Sequence, residues 1–549
     1  MSENGIVNGS ANGSVNGAET ANGQLKVQVS QPKSAVLDSA HLGDIEGAFG
    51  KISVSDPGQA RTFRSRMAAM AAILGPGIIV MVGDNDAGGV ATYAQAGQSY
   101  GYSLLWVLLL LIPVLIVNQE MVVRLGAVTG VGHARLINER FGRGWGWFSV
   151  GDLFILNFLT LVTEFIGVAL ASEYLGVSKY YTVPLAAIAL ILIMATGSFR
   201  RWERAMFVFI AITLLQIPMF LLAEPQWERA AHDFVVPGID GGISSGAVLL
   251  IIAMVGTTVA PWQLFFQQSN IVDKRITPRF IGYERADTVI GSLVVVIGAA
   301  ALLMTADYAA RVTGNSGPDK WGDSGDAGLI AEWLGQVQPL LGKIFAIVLL
   351  DASIIGAAAV TLATSYAFGD TFGLKHSLPH APLGLMTTAV QALAGLLLPS
   401  ASVFLLLLCN DKAVLGPWVN KPWLNIVAGL IVGVLLFLSG ILMATTLFPD
   451  LDVVEVARDL AVGVTILAVL IGIGLWWVSS RQRADPAVLA MNKALDGVDA
   501  RTWRMPPLAL LEPVKWSPGT KLGMLALRGY LVVGAILLVV KAIQLAHGN

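Results

Sequence analysis

Charge and cysteine are what this chain has least of. Only 13% of its 549 residues are charged, whereas a soluble domain carries about 25%. The one cysteine, Cys409, excludes an intrachain disulfide and any cluster of thiolate metal ligands. Histidine is also scarce, with six residues in the whole chain. The composition therefore argues against a soluble domain and against a metal centre built from sulfur.

Motifs for phosphate binding and for catalysis are missing too. The chain has no Gly-Lys-Ser/Thr loop of the kind that cradles ATP phosphates. No pairing of a nucleophile with a base supports an enzyme, and a formal net charge of −2 gives no basic surface for nucleic acid. We therefore expect no enzyme, no cofactor and no nucleic-acid partner.

Hydrophobic residues, by contrast, make up 55% of the chain and fall into long runs. About 20 apolar residues in succession span the hydrocarbon layer of a membrane. We therefore predict an all-α, multi-pass membrane protein of about 11–12 spans, surrounded by a lipid bilayer. The apolar segments are 67–98, 103–126, 147–175, 181–198, 203–223, 246–270, 283–305, 338–369, 384–408, 424–447, 455–479 and 523–546.

The chain divides into three regions by composition. Residues 1–60 are rich in Asn, Gly and Ser and lack the apolar stretch of a cleavable signal peptide, so we expect a disordered tail. Residues 61–447 hold the first ten apolar segments and form the expected membrane core. Residues 448–549 add further C-terminal spans around a basic segment, 480–522.

Positive charges orient the spans, because loops rich in Lys and Arg stay in the cytoplasm. Arg61, Arg64 and Arg66 precede the first span, which predicts a cytoplasmic N-terminus in a plasma or inner membrane. Alternate loops stay basic through the eighth span. The pattern then reverses, since twelve crossings would put segment 480–522 outside. One crossing added or removed near 371–383 restores the pattern, so we predict an irregularity there.

The first span is interrupted by the acidic, glycine-rich stretch Gly83-Asp84-Asn85-Asp86-Ala87-Gly88-Gly89. A charge at mid-membrane costs several kcal/mol, about 3 on insertion scales. Glycine weakens a helix that has no water to satisfy its backbone. Both costs are offset together if the helix is unwound around a cation. We therefore place Asp86 in a cation site.

The sixth span is interrupted as well. Pro261 removes a backbone donor, and Thr257 and Thr258 precede it, so carbonyl and hydroxyl oxygens become available. Such oxygens are ligands that hard cations prefer. Two interrupted helices at corresponding positions are typical of an inverted-repeat transporter with its site at the interface of the repeats. The pattern therefore favours a LeuT-type fold with broken helices 1 and 6.

These motifs resemble the Nramp family of divalent-metal transporters. The likeness covers roughly residues 65–445. The residues that carry it are Gly75-Pro76-Gly77, Asp86-Ala87-Gly88-Gly89, Ala91-Thr92, Gln95-Ala96-Gly97-Gln98-Ser99-Tyr100-Gly101-Tyr102, Leu105-Trp106-Val107-Leu108, Arg124-Leu125-Gly126, Thr129-Gly130, Glu164-Phe165-Ile166-Gly167, Gln391 with Leu398-Pro399, and Asn410-Asp411-Lys412.

The chain departs from the family pattern in the first and third helices. The family's first-helix aspartate falls on Asp86, but its asparagine falls on Gly89, so one amide ligand is lost. An acid of the third helix falls on Leu161, although Glu164 remains. The family also has a helix between the segments matching spans 8 and 9, and here only about a dozen residues separate them. The resemblance therefore implies that this ninth helix is absent near 371–383.

The sixth helix departs further. Ala260 stands in place of the family's methionine, Trp262 in place of one histidine, and Gln267 in place of another. A thioether favours softer metals such as Mn²⁺ and Fe²⁺, so its loss removes that preference and enlarges the cavity. Histidine carries protons near neutral pH, so its loss argues against proton coupling. The combination resembles the magnesium-transporting branch of the family.

The resemblance implies a metal site between the two broken helices. Some of its residues could instead have a purely structural role. Asn85 could cap the second half-helix, and a threonine hydroxyl often donates to a carbonyl of its own helix. The expected ligands are Asp86, Ala87, Gly89, Thr257, Thr258, Ala260 and Gln391, and Asp84, Asn85, Glu164, Gln263 and Asp351 are expected around the ion or along its path.

Function follows as an expectation from these points. The resemblance implies transport of Mg²⁺, and also Mn²⁺, by alternating access and without protons. One alternative is a proton-coupled importer of Mn²⁺ or Fe²⁺, and a second is a membrane receptor that binds metal without moving it. The sequence leaves the oligomeric state open.

Overall fold

The computed structural model describes residues 43–53, 62–195, 198–321, 327–372, 401–447, 452–459 and 498–506, with a few isolated positions outside these ranges. Within them, seven helices are long and apolar enough to cross a membrane, or nine if each of two bent pairs counts as one span. The predicted all-α, multi-pass membrane fold is confirmed. Predicted spans 11 and 12, segment 480–522 and residues 373–383 lie almost entirely outside the described residues.

Helices dominate the described chain, and strands are confined to two short antiparallel hairpins near the N-terminus. The strands are β1 (Thr20–Ala21), β2 (Gln24–Leu25), β3 (Ile45–Gly47) and β4 (Gly50–Ile52). The helices are α1 (Phe63–Ile73), α2 (Pro76–Val82), α3 (Ala87–Tyr100), α4 (Leu105–Thr129), α5 (His133–Phe141), α6 (Arg143–Tyr174), α7 (Lys179–Ala195), α8 (Phe199–Thr213), α9 (Gln216–Leu222), α10 (Trp227–Val235), α11 (Ser245–Thr258), α12 (Pro261–Asp273), α13 (Ile281–Thr313), α14 (Ala327–Val337), α15 (Pro339–Phe372), α16 (Ala401–Cys409), α17 (Lys412–Leu415) and α18 (Pro422–Leu447).

The first predicted span is broken twice. Helices α1 and α2 meet at a 50° bend, where Gly75 adopts a φ of 154° that only glycine accepts readily. Pro76 then occupies the first turn of α2, where its missing N–H costs nothing. The second break lies between Val82 and Ala87, at the acidic stretch. The interruption predicted from the sequence is therefore present.

The sixth predicted span is broken at the predicted place. Helix α11 ends at Thr258, and Pro261 begins α12, so only Val259 and Ala260 lie between them. Proline fits the first helical position and cannot continue the preceding helix. The break leaves the last carbonyls of α11 and the first amides of α12 without the helical partners that an unbroken helix would give them.

Helix α13 holds the two halves of the first span in place. It packs along α2, α3 and α4, while α15 packs along α6. Glycines allow the close approach, because a Cβ on Gly77 would lie 2.7 Å from the backbone nitrogen of Thr288. A Cβ on Gly291 would lie 2.8 Å from Met81 Cγ. Small residues at crossing points are the usual means by which membrane helices pack tightly.

The predicted N-terminal tail requires a correction. Residues 43–53 are not a free tail, because β3 and β4 form a hairpin that packs on α1 and α8. Ile45, Ala48 and Ile52 are buried there. Residues 1–40 are rich in Asn and Gly, and the prediction of a disordered tail was extended from them to residue 60. The few apolar residues at 43–53 were therefore overlooked. The hairpin is anchored through its backbone, since Ala48 N donates to Glu203 and Arg204 donates to Ala48 O.

Candidate metal site

Asp86 has two possible roles at the start of α3. Its Oδ1 accepts a hydrogen bond of 2.7 Å from Gly89 N, so Asp86 is the N-cap of the second half-helix. Asp86 therefore takes the capping role that was the structural alternative for Asn85. Asn85 turns away and donates from Nδ2 to the carbonyl of Val295 on α13, at 3.1 Å. The cap places the carboxylate of Asp86, which also interacts with the Gly88 amide and with Glu164.

Asp84 faces the other broken helix. Its Oδ1 accepts a hydrogen bond from Nε2 of Gln263, and its Oδ2 is buried without a partner. Gln263 also reaches the carbonyl of Thr258 at 3.2 Å. Its Oε1 in turn accepts from Gln119 on α4, at 3.1 Å. Gln263 therefore links the two unwound segments, while one oxygen of Asp84 stays available.

Glu164 approaches the first break from α6. Its Oε2 accepts from Ala87 N at 3.1 Å, and its Oε1 is buried without a partner. Gly356 of α15 makes room for both acids, because a Cβ there would lie 2.8 Å from Asp86 Cβ and 2.8 Å from Glu164 Cδ. The two carboxyl groups are thus neighbours, and each accepts a hydrogen bond from a backbone amide in the first turn of α3.

The two threonines of α11 differ. The Thr258 hydroxyl donates to Met254 O at 2.6 Å and contacts the Tyr93 hydroxyl at 2.7 Å. The Thr257 hydroxyl is buried and has no hydrogen-bond partner. An unpaired buried hydroxyl costs about 1–3 kcal/mol. Thr257 is therefore the hydroxyl of this pair that remains free for an ion.

Gly89 marks the place where the oxygens converge. A Cβ built there would lie 2.9 Å from the carbonyl oxygen of Asp84, and 3.5 Å from both Asp86 Oδ1 and Thr257 Oγ1. Glycine at this position therefore lets oxygen atoms of the two broken helices approach one another closely.

The carboxylates at the breaks carry uncompensated charge. Asp84, Asp86 and Glu164 are 1%, 4% and 0% exposed. In the described part of the chain, the charged groups that act on them are each other, with no Lys or Arg among them. Buried charge of one sign calls for a cation or for protons.

Carboxylates alone do not complete a metal centre. Among the residues the structure describes, no three His, Cys, Asp or Glu side chains are grouped as metal ligands. An ion here needs neutral oxygens from hydroxyls, amides, carbonyls or its own water. That ligand set suits hard cations, and Mg²⁺ in particular usually keeps several waters.

The other residues singled out from the sequence lie in different places. Ala260 is the N-cap residue of α12 and is buried at the second break. Asp351 Oδ2 accepts from Thr213 at 2.8 Å on the α8 side of α15, and its Oδ1 is buried without a partner. Gln391 lies outside the described residues. Trp262 and Gln267 are buried in α12, and Gln267 donates to Thr288 on α13 at 3.0 Å.

Sequence reasoning missed two residues of the site. Tyr93 lies about two turns after Asp86 on α3, and its hydroxyl is hydrogen-bonded to Thr258 Oγ1. Gln119 lies in the polar stretch Asn118-Gln119-Glu120 of the largely apolar helix α4 and holds Gln263. A polar amide inside a membrane helix is itself a functional signal, and Gln119 could have been found by it. Tyr93 gives no such signal in the sequence.

Thr257→Val should weaken metal binding about tenfold with little loss of stability, because valine has the same shape and removes only the free hydroxyl. Thr258→Val is the matched control: it should lower stability by about 1 kcal/mol through its lost hydrogen bonds and leave affinity nearly unchanged. The half-saturating Mn²⁺ concentration for uptake and the unfolding temperature measure the two effects. Equal affinity losses in both variants would contradict this assignment.

Taken together, two interrupted helices that face each other with buried carboxylates and free oxygens define a cation transporter of the LeuT-type fold. The model of the natural resistance-associated macrophage protein-like (Nramp) family matches residues 77–389 and 377–445. The chain belongs to the Nramp family, as its motifs predicted. It is a multi-pass membrane transporter of divalent metal cations and not an enzyme.

Similar proteins agree with this assignment. The divalent metal cation transporter MntH of Burkholderia ambifaria is 27% identical over 411 residues, which cover 69% of this chain and 90% of that protein. MntH of Xylella fastidiosa is 28% identical over 453 residues, with 74% and 90% covered. The crystal structure of a manganese transporter of Eremococcus coleocola has a TM-score of 0.58 at 20% identity, and the match covers 80% of this chain and 97% of that one.

Proposed function

We propose that this transporter moves Mg²⁺, and also Mn²⁺, across a plasma or inner membrane without coupling to protons. Alternating access would expose the site between α2–α3 and α11–α12 first to one side and then to the other. Asp86 would supply charge. Thr257, the carbonyls near Ala87 and Thr258, and Gln391 would supply neutral oxygens or hold the ion's waters.

One observation carries the preference for Mg²⁺: the site offers oxygen donors and space where a soft ligand would otherwise sit. Ala260 brings no sulfur to the second break, and Gly89 lets the oxygens of Asp86 and Thr257 approach the same place. Mg²⁺ binds one or two carboxylates and gives up water reluctantly, so a wider pocket suits it. Softer metals lose the thioether that would favour them.

The test is uptake by purified protein in proteoliposomes that contain a pH dye. We expect Mg²⁺ and Mn²⁺ to enter without a change in internal pH. Ala260→Met should raise the preference for Mn²⁺ over Mg²⁺ about tenfold, because it adds a soft ligand and narrows the pocket. Ala260→Leu is the control for size, since it narrows the pocket without sulfur. Acidification during uptake would overturn the uncoupled mechanism, and binding without uptake would indicate a receptor.

Proton-coupled import of Mn²⁺ or Fe²⁺ is the second candidate. Two observations favour it. The similar proteins are named as divalent metal cation or manganese transporters, and Glu164 has a buried carboxyl oxygen without a partner beside Asp86. A carboxyl group in that position can take up and release a proton as the metal binds. Metal-driven acidification that is lost in Glu164→Gln would favour this candidate.

We also propose that the N-terminus is cytoplasmic and that one crossing is missing near 371–383. The charge pattern supports both. The match to the family model is divided in the same part of the chain, into two pieces that share residues 377–389. Accessibility of single cysteines to an impermeant reagent, introduced before residue 61 and within 480–522, tests the orientation, since both should react only from the cytoplasmic side.

A further inference from the structure

A second group of buried charges lies beyond the metal site, where the start of α2 meets the end of α12. It consists of Glu203 on α8, Lys274 after α12, and Glu284 and Asp287 on α13. All four are 0% or 1% exposed. This inner cluster contains three carboxylates and one ammonium group, which leaves two negative charges in excess if all four are ionised.

Lys274 and Glu203 satisfy each other. Lys274 Nζ lies 2.5 Å from Glu203 Oε1 and also donates to the carbonyls of Ile73 and Leu74, at 2.7 and 2.9 Å. The other oxygen of Glu203 accepts from Ala48 N. The ammonium group therefore has all three of its hydrogens engaged and has no donor left for another carboxylate.

Asp287 is held by the start of α2. Its Oδ2 accepts from Gly75 N and Gly77 N, at 3.1 and 2.7 Å, and its Oδ1 accepts from Ile78 N at 3.3 Å. These amides belong to the first turn of a helix, which favours negative charge. Asp287 is therefore stable as a carboxylate, and its Oδ1, which accepts only one hydrogen bond, retains a lone pair.

Glu284 is different. It is fully buried, and neither carboxylate oxygen has a hydrogen-bond partner. The groups that act on it are Asp287, Lys274, Glu203 and the amide of Gln267. The Gln267 Oε1 also lacks a partner, because its Nε2 donates to Thr288. Turning the amide over would give Glu284 one donor at most. An ionised carboxylate in this place therefore requires a positive charge that the described residues do not supply, since Lys274 is already paired with Glu203.

The two carboxylates of α13 are ligands of the kind that a hydrated divalent cation uses. Glu284 and Asp287 are three residues apart on α13 and so lie on one face. Mg²⁺ is usually bound by one or two carboxylates and keeps several waters. One divalent ion would also balance the two excess charges of the inner cluster. No three acidic or imidazole side chains of the described chain form a metal centre, so binding here would be weak and transient.

The position of the inner cluster relates it to transport. Gln267 lies one turn, about 6 Å, along α12 from Gln263, which contacts Asp84 in the central site. Lys274 directly follows α12 and begins a basic segment with Arg275 and Arg279. The positive-charge rule places this segment on the same side of the membrane as the proposed cytoplasmic N-terminus. We propose that Glu284, with Asp287 and the Gln267 Oε1, is a second binding site for a divalent cation, between the central site and the cytoplasm. This inference rests on the proposed function, because it requires metal to pass this way.

The experiment is equilibrium binding of Mn²⁺ to the purified full chain, measured as free Mn²⁺ by electron paramagnetic resonance. We expect two classes of site. Asp86→Ala should lose the tighter class, Glu284→Gln should weaken the other at least about tenfold, and the double variant should lose both. Asp307→Asn is the matched control, because it removes a carboxylate at the opposite end of α13 and should change neither class.

A variant that binds metal more tightly than the wild type serves as a second test, because misfolding cannot explain a gain of affinity. Gln267→Glu adds a carboxylate facing Glu284 and should tighten the weaker class about tenfold. Wild-type binding in Glu284→Gln, or no gain in Gln267→Glu, would overturn the second site. The infrared band of a protonated carboxylic acid, lost in Glu284→Gln while Mn²⁺ binding is unchanged, would show that a proton occupies this place instead. Unchanged binding in Asp86→Ala alone would contradict the central site and leave the second site standing.

Discussion

Asp86→Ala is expected to lower metal uptake at least about a hundredfold. Even residues that only orient metal ligands are worth 10–100-fold in metal affinity, and Asp86 is placed to touch the ion. The alanine variant also removes the cap of α3, since the Gly89 amide loses the carboxylate that accepts from it. Initial rates of Mn²⁺ and Mg²⁺ uptake into proteoliposomes measure the effect.

Asp86→Asn separates the charge from the cap. The amide oxygen of asparagine still accepts from Gly89 N, so the start of α3 should remain as stable as in the wild type. Uptake should nevertheless fall nearly as far as in Asp86→Ala, because the negative charge is gone. Near-normal uptake by Asp86→Asn, alongside a damaged Asp86→Ala, would show that Asp86 acts only as a helix cap.

Lys274→Met is expected to lower stability by about 3–5 kcal/mol. The variant leaves Glu203 buried with its charge uncompensated, which is the costly way to break a buried ion pair. It also removes the donor to the carbonyls of Ile73 and Leu74, at the bend between α1 and α2. The unfolding temperature in detergent and the yield of monodisperse protein should both fall.

The double variant Lys274→Met with Glu203→Gln is the informative partner. It removes both charges and should recover much of the stability, because the penalty comes from the charge left alone. The coupling between the two substitutions, taken from a double-mutant cycle, should exceed about 1 kcal/mol. Additive effects would mean that the ion pair does not link α8 to the end of α12.

Local chemistry allowed the two helix breaks to be predicted. An apolar span is destabilised by Asp84 and Asp86 among glycines, and by Pro261 after two threonines. These costs do not depend on how the rest of the chain folds. The family motifs are local as well, so family and fold class followed from the sequence. The hairpin at 43–53 was missed because its few apolar residues gain their burial from α1 and α8, which lie outside the segment.

Roles within the site could not be predicted in the same way. Thr257 and Thr258 are adjacent and chemically identical, yet Tyr93 engages one hydroxyl and leaves the other free. Asn85 and Asp86 are both good caps, and the Val295 carbonyl decides between them by taking the Asn85 amide. Asp351 was a reasonable candidate as a membrane acid, but its position on α15 turns it toward Thr213.

The sequence alone therefore determined where the membrane helices are interrupted. A charge, a glycine run or a proline in hydrocarbon destabilises the helix within a few residues of its own position. Only the tertiary structure decided which oxygens are free to bind an ion. A side chain is free or engaged according to partners that lie far away in the chain, as Glu203 is from Lys274 and Asp84 from Gln263. Those partners meet only when α13 and α15 bring the broken helices together.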